Sequence, residues 1–156
     1  MRFYLETSVW NFFISEEISD KYLATKRFFE EIRLKNYRIY ISPLVIIEID
    51  RTKEAKTINK LKDALTRYQP ELLEEQPDIL LLSERYCKEG IIPEKYRNDA
   101  LHIAYVSFYE LDAVISWNLR HIVKMKTRRL VNYINLLEGY RPVELVTPEE
   151  VIEDER

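Results

Sequence analysis

Four short apolar runs punctuate the chain: RFYL at 2–5, YRIYIS at 37–42, DAVIS at 112–116 and VELVT at 143–147. Each is too short for a helix and rich in β-branched or aromatic residues, so each reads as a buried strand. Between them, apolar residues recur at helical spacing. Tyr22, Leu23, Phe28, Phe29 and Ile32 mark a helix from Ser19 to about Lys35. Pro43 suits the first turn of a helix capped by Ser42, with Leu44, Ile47 and Glu48 inside it. Further helices are expected over Thr52–Leu65, Asp78–Glu89, Asn98–Tyr109 and Leu130–Leu137, with a last turn after a Thr147 cap. Pro70 and Pro77 bracket a short strand or irregular stretch. Strands separated by helices predict an α/β fold, a three-layer sandwich with a mainly parallel central sheet. Residues 1–152 read as one domain, followed by a charged tail over 153–156.

Such sheets take ligands outside the carboxyl ends of their strands. Most nucleotide-binding devices are excluded there, because the chain has two glycines, Gly90 and Gly139, and so no Gly-rich phosphate loop. One cysteine, Cys87, allows no internal disulfide and no Cys-based zinc site. No signal-peptide h-region and no apolar run of membrane-spanning length is present, so a cytoplasmic protein without a membrane partner is expected. The net charge of −3 does not announce nucleic acid. A local patch does: Arg120, Lys124, Lys126, Arg128 and Arg129 follow one another with no acid among them. Its bland reading is a solvated helix face.

Four polar residues stand where exposure alone would not put them. Glu6 ends the first strand, Glu48 interrupts the apolar PLVIIEID, Asp99 opens NDALHIAYV and Asn118 closes AVISWN. An acid in an apolar segment must face water, find a partner or meet a cation. Each has an ordinary alternative: Asp99 as a first-turn acid, Glu48 paired with Arg51, Asn118 in a turn, Glu6 facing water beside a Thr7 or Ser8 cap. Gathered at one sheet edge, they suit a hard divalent cation, Mg²⁺ or Mn²⁺.

The segments FYLETSV, PLVIIEI, NDALHIAYV and DAVISWNLRHI, in this order and spacing, resemble the PIN domain family and its VapC-like branch. The resemblance runs from Arg2 to about Ile152, and the NDALHIA…SWNLRHI half carries most of its specificity. It implies a ribonuclease dependent on Mg²⁺ or Mn²⁺, with Glu6, Glu48 and Asp99 as metal-holding acids. Asn118 falls on the fourth position, and Thr7 or Ser8 on the assisting hydroxyl. Two departures are visible. The first acid is Glu6 where the family commonly has Asp, which moves the carboxylate by roughly 1.5 Å. Asn118 replaces a frequent acid with a neutral amide, which weakens a second metal position more than a first.

The expected chemistry is hydrolysis of RNA by metal-activated water. The basic run then forms the rim that positions the RNA backbone, with Trp117 either stacking on a base or packing in the core. His102, one turn after Asp99, and His121 are left outside the metal set. The resemblance further implies a toxin held by a small antitoxin protein, and a homodimer. The alternative is a PIN-fold RNA-binding or scaffold protein with weakened or lost catalysis.

Overall fold

The apolar runs become neighbouring strands of one sheet. The computed structural model describes residues 1–152, so the tail expected over 153–156 lies outside it. In chain order the elements are β1 (Arg2–Leu5), α1 (Thr7–Phe13), α2 (Asp20–Leu34), β2 (Arg38–Ile41), α3 (Pro43–Asp50) and α4 (Ala55–Tyr68). There follow β3 (Glu71–Leu72), α5 (Pro77–Lys88), a 3-10 turn (Glu94–Tyr96), α6 (Arg97–Tyr109), β4 (Ala113–Ile115), α7 (Met125–Glu138), β5 (Glu144–Val146) and α8 (Pro148–Val151). The sheet order is β3-β2-β1-β4-β5, and every pairing is parallel. Tyr4 pairs with Tyr40 on one side and Val114 on the other.

The order places a topological switch beside β1. The first strand is central, the next two are added on one side, and the chain then returns to the other side for β4 and β5. Connections leaving β1 and β4 therefore diverge, and a crevice opens between their carboxyl ends.

Consecutive strand residues show the layers. The Phe3 ring meets Phe28 of α2 at 6.0 Å, while Tyr4 meets His102 and Tyr105 of α6 at 5.6 and 6.4 Å. Neighbouring side chains on a strand point to opposite faces, so α2 and α6 cover opposite faces of the sheet. The helices α1 and α8 pack against α2, α4 packs against α1, and α5 packs between α6 and α7. The inner strands β1 and β4 are buried from both sides, which is why those runs read as continuously apolar, while β3 at the sheet edge is exposed.

Several expected boundaries shift. The helix expected over Thr52–Leu65 runs from Ala55 to Tyr68, ending where Gln69 takes a left-handed φ of 47°. The helix expected from Leu130 begins at Met125, so Lys126, Arg128 and Arg129 lie in its first turns. Ser42 precedes α3 but does not cap it; its hydroxyl bonds Tyr4 instead. Thr147 does cap α8, in a reciprocal capping box with Glu150.

Two residues expected at an RNA rim are built into the fold. Arg128 donates from Nε to the Leu145 carbonyl at 3.1 Å, and Asn132 exchanges hydrogen bonds with both backbone groups of Val143. These side chains close the outer edge of β5, which an unpaired parallel strand requires. Trp117 is 8% exposed; its ring meets Phe12 at 6.0 Å and its Nε1 donates to Thr25 at 2.8 Å. A side chain so held offers no face to a base, and it packs in the core against α1 and α2.

Phe29 is the hinge of the aromatic cluster under α2, touching the rings of Trp10, Phe13, Phe28 and Tyr68. Phe29→Ala is expected to destabilise the protein by about 3–5 kcal/mol in denaturant unfolding. Leu136→Ala, at a position 76% exposed, should change stability by no more than about 0.5 kcal/mol.

Candidate metal centre

The crevice between β1 and β4 gathers the acids. Glu6 is the residue that ends β1, with its N–H donating to the Ile115 carbonyl as the last rung of pairing with β4. It is the N-cap of α1 by backbone, yet its side chain caps nothing. The carboxylate is buried and turned into the crevice. Its Oε1 accepts from the hydroxyls of Ser8 and Ser116, the latter at 2.6 Å. Those hydroxyls accept in turn from the backbone N–H groups of Trp117 and Asn118. The ends of β1 and β4 are thus tied together through one carboxylate oxygen, and Oε2 has no hydrogen-bond partner among the described residues.

Glu48 arrives from α3 and is treated in the same way. Its Oε1 accepts from Thr7 Oγ1 at 2.7 Å and bonds His102 Nε2 at 2.6 Å. His102 is fully buried on α6, and its Nδ1 meets the Tyr4 hydroxyl at 2.6 Å. Tyr4 reaches Ser42 at 2.8 Å, so a buried chain of polar groups runs from Ser42 to Glu48. Burial alone would raise the Glu48 carboxyl and lower the imidazole. The hydrogen bond and charge each gives the other outweigh it: Glu48 is held below the usual carboxylate range and His102 above the usual imidazole range. The two directions agree on an imidazolium–carboxylate pair. Burial also pushes the Tyr4 hydroxyl far up, so it stays a neutral link.

Asp99 stands in the first turn of α6, half-buried. Burial pushes its carboxyl up to about 6; the charge of His102 and the Asn118 amide oppose the rise, and Glu6 and Glu48 add to it. Asn118 serves two neighbours: its Oδ1 accepts from the His121 N–H at 2.9 Å, while its amide lies beside Asp99. With the oxygen turned to the backbone, its position suits orientation of Asp99 more than ligation. The ordinary alternative, a water-facing Glu6 beside a Thr7 or Ser8 cap, is not what the fold contains. Both hydroxyls are inside α1 and donate to the acids.

Glu6, Glu48 and His102 each present a ligand atom within 4.8 Å of the others, and Asp99 stands outside that group. The donor chemistry separates the three. Both nitrogens of His102 are engaged, so it orients Glu48. The carboxylate oxygens left over on Glu6 and Glu48, with the carboxylate of Asp99, make an oxygen donor set that fits a hard divalent cation. Three carboxylates face one imidazolium, so the crevice retains excess negative charge for a cation to balance.

Sequence reading left His102 out of this centre and did not reach Tyr4, Ser42 or Ser116. His102 had a signal, three residues from Asp99 on one helix face. Tyr4 lies in an apolar strand and Ser116 just past one, and only the topology reveals that Tyr4 meets His102 and Ser116 meets Glu6.

Of the basic run, Arg120, Lys124, Lys126 and Arg129 are exposed. Lys124 is the N-cap of α7 and Lys126 and Arg129 follow in its first turns, adding positive charge to the positive end of a helix dipole. The resulting positive locus is reached through the six residues that follow Asn118. Burial, then the charges of Arg120 and Lys124, lowers the His121 imidazole below its usual range.

No family model matches the chain, and no curated protein matches its sequence. Solved structures do match. A VapBC2 structure from Rickettsia felis, bound to a DNA fragment from their promoter, aligns at a TM-score of 0.56 and 20% identity, over 77% of this chain and 90% of the other. A VapBC-1 structure from nontypeable Haemophilus influenzae aligns at 0.54 and 14% identity, over 88% and 94% of the two chains. At such identities the likeness carries the architecture, and it covers nearly the whole of both neighbours. The chain shares its fold with these VapBC structures, a PIN-like α/β architecture.

Proposed function

We propose that the protein is a divalent-metal-dependent ribonuclease, a PIN-type endonuclease that hydrolyses phosphodiester bonds of RNA. What supports the reading is the cluster of Glu6, Glu48 and His102 at the switch point between β1 and β4, with Asp99 close enough on α6 to feel their charges. Bound there, Mg²⁺ or Mn²⁺ would supply an acidified water and neutralise charge on the phosphate. The chain's own residues do the rest. Ser8 and Ser116 fix one oxygen of Glu6, and Thr7 and His102 fix one oxygen of Glu48. The remaining oxygens are thereby aimed before the cation arrives, which lowers the cost of ordering them. Asn118 holds Asp99, and the basic residues 120–129 other than Arg128 attract the RNA backbone without reading sequence. Both structural neighbours are VapBC assemblies, which supports a role as a toxin restrained by a small antitoxin protein. The described residues contain no helix long and apolar enough to cross a membrane.

One observation favours a second reading, an RNA-binding or scaffold protein with weakened catalysis. The fourth acid is absent, and the oxygen of Asn118 faces its own backbone. The two readings part on metal dependence. Purified protein should cut single-stranded RNA with Mn²⁺ or Mg²⁺ and stop with EDTA. Glu48→Gln and Asp99→Asn should each lower cleavage by about 100-fold or more, and His102→Gln should weaken Mn²⁺ binding by about 10–100-fold through misorientation of Glu48. RNA binding without cleavage in any divalent cation would establish the second reading, and equal cleavage by wild type and Asp99→Asn would mean a contaminating nuclease.

The titration of the centre gives a separate test. The Asp99 carboxyl sits at about 6, above its ordinary 3.8. The folded state therefore holds that proton longer, and stability is lost as pH rises from the ordinary value through about 6. The Glu48–His102 pair works in the other sense at its acidic limb. Stability from the lowered Glu48 is present above its ordinary 4.5 and lost as pH falls. Stability from the raised His102 is full below its ordinary 6.5 and lost as pH climbs through the folded value. Metal-free Asp99→Asn should thus melt above wild type at about pH 8 and with it at about pH 4. Millimolar Mn²⁺ should raise the wild-type Tm at the higher pH by mass action. The variant should lose most of that rise; an equal rise in both would remove Asp99 from the metal centre.

A further inference from the structure

Trp117 is spent on the core, yet an aromatic group does stand at the rim of the acidic crevice. Tyr96 ends the 3-10 turn that leads into α6, three residues before Asp99. Its ring stacks on His121 with centroids 4.2 Å apart and planes inclined by 30°. The guanidinium carbon of Arg120 lies 5.6 Å from the same ring centroid, and Lys95 Nζ lies at 5.8 Å. Tyr96 is partly buried and packed on the core, so this ring is a fixed object.

The loop that carries Arg120 is already anchored by its backbone. Ile122 and Val123 are buried, and Thr127 Oγ1 donates to the His121 carbonyl at 2.9 Å. What the loop backbone does not anchor is the outward side chain of Arg120, whose support is the Tyr96 ring. Among the described residues it forms no ion pair, in a chain with 27 carboxylate side chains. An arginine placed over an aromatic ring is held by the ring's quadrupole while its N–H edges stay uncommitted. Those edges match two oxygens of a phosphate.

We propose that Tyr96 is a positioning residue for the substrate: it orders Arg120 over its ring so that the guanidinium meets a backbone phosphate of an RNA strand entering the acidic crevice. The proposal rests on the ribonuclease reading and adds to it a residue outside the acids and the basic run. Tyr96 is not itself a base-stacking surface, since a ring face is taken by His121. Its effect is preorganisation: an arginine that is ordered before binding loses less rotamer freedom on contact. Lys124, Lys126 and Arg129 have no such support and attract the strand without fixing it.

A double-mutant cycle on single-stranded RNA with Mn²⁺ tests this. Tyr96→Leu should raise KM by about three- to tenfold and leave kcat within about twofold. Tyr96→Phe, which keeps the ring, should behave as wild type. Arg120→Gln should raise KM at least as much, and Tyr96→Leu with Arg120→Gln should be no worse than Arg120→Gln alone, because the tyrosine acts through the arginine. Where Tyr96→Leu does not fold, Tyr96→Met keeps bulk without a ring face and takes its place in the cycle. Additive effects, or equal losses in Tyr96→Phe and Tyr96→Leu, would overturn the role of Tyr96 while leaving the ribonuclease reading in place. Wild type that neither cuts nor binds RNA would overturn both.

Discussion

Like charges held together in a half-buried crevice repel, and that repulsion is the constraint on which the centre of this molecule depends. Glu6, Glu48 and Asp99 come from β1, α3 and α6, elements separated widely in sequence. The fold brings them together only because other groups offset the cost. Two serine hydroxyls take one oxygen of Glu6, while a threonine hydroxyl and an imidazolium take one of Glu48. Asp99 receives least, the charge of His102 one turn along α6 and the Asn118 amide, and burial pushes its carboxyl up to about 6. The unbalanced remainder would favour a divalent cation, which on the proposed reading would take the place of the proton at Asp99 and offset the repulsion.

The arrangement also gives a structural use to a glutamate at the position where the resembled PIN domains more commonly carry an aspartate. The longer side chain of Glu6 leaves the end of β1 and reaches Ser116, which ends the neighbouring run at β4. Its extra methylene is accommodated by anchoring one oxygen across the strand gap, so the other oxygen still faces the crevice. The neutral Asn118 fits the same economy of charge. Its oxygen caps the His121 N–H and shapes the loop, and its amide favours the ionised form of Asp99.

Much of this was legible in the sequence. Period-two and apolar runs marked the strands, and helical spacing marked α2, α5 and α6. The acids stood out because Glu48 interrupts an apolar helix and Glu6 ends an apolar strand. The polar partners were not legible. Tyr4 and Ser116 look like ordinary residues of apolar runs, and only the register that sets Tyr4 beside Val114 and beneath α6 gives it His102 to hold and gives Ser116 an acid to serve. The basic run misled in part for a related reason. Its charges read as one patch, but helix α7 begins five residues earlier than its apolar spacing suggests. That turns Arg128 inward to the edge of β5. Trp117 beside Asn118 faces α2 because the chain is still leaving β4, a strand buried on both sides.

Anomalous scattering from crystals grown or soaked with Mn²⁺ tests most directly whether the carboxylates of Glu6, Glu48 and Asp99 hold a cation while His102 holds Glu48. An anomalous peak is expected between those three carboxylates, with His102 Nε2 still bonded to Glu48. A manganese ion ligated by His102 Nε2, or a crevice without an anomalous peak in crystals saturated with Mn²⁺, would contradict it.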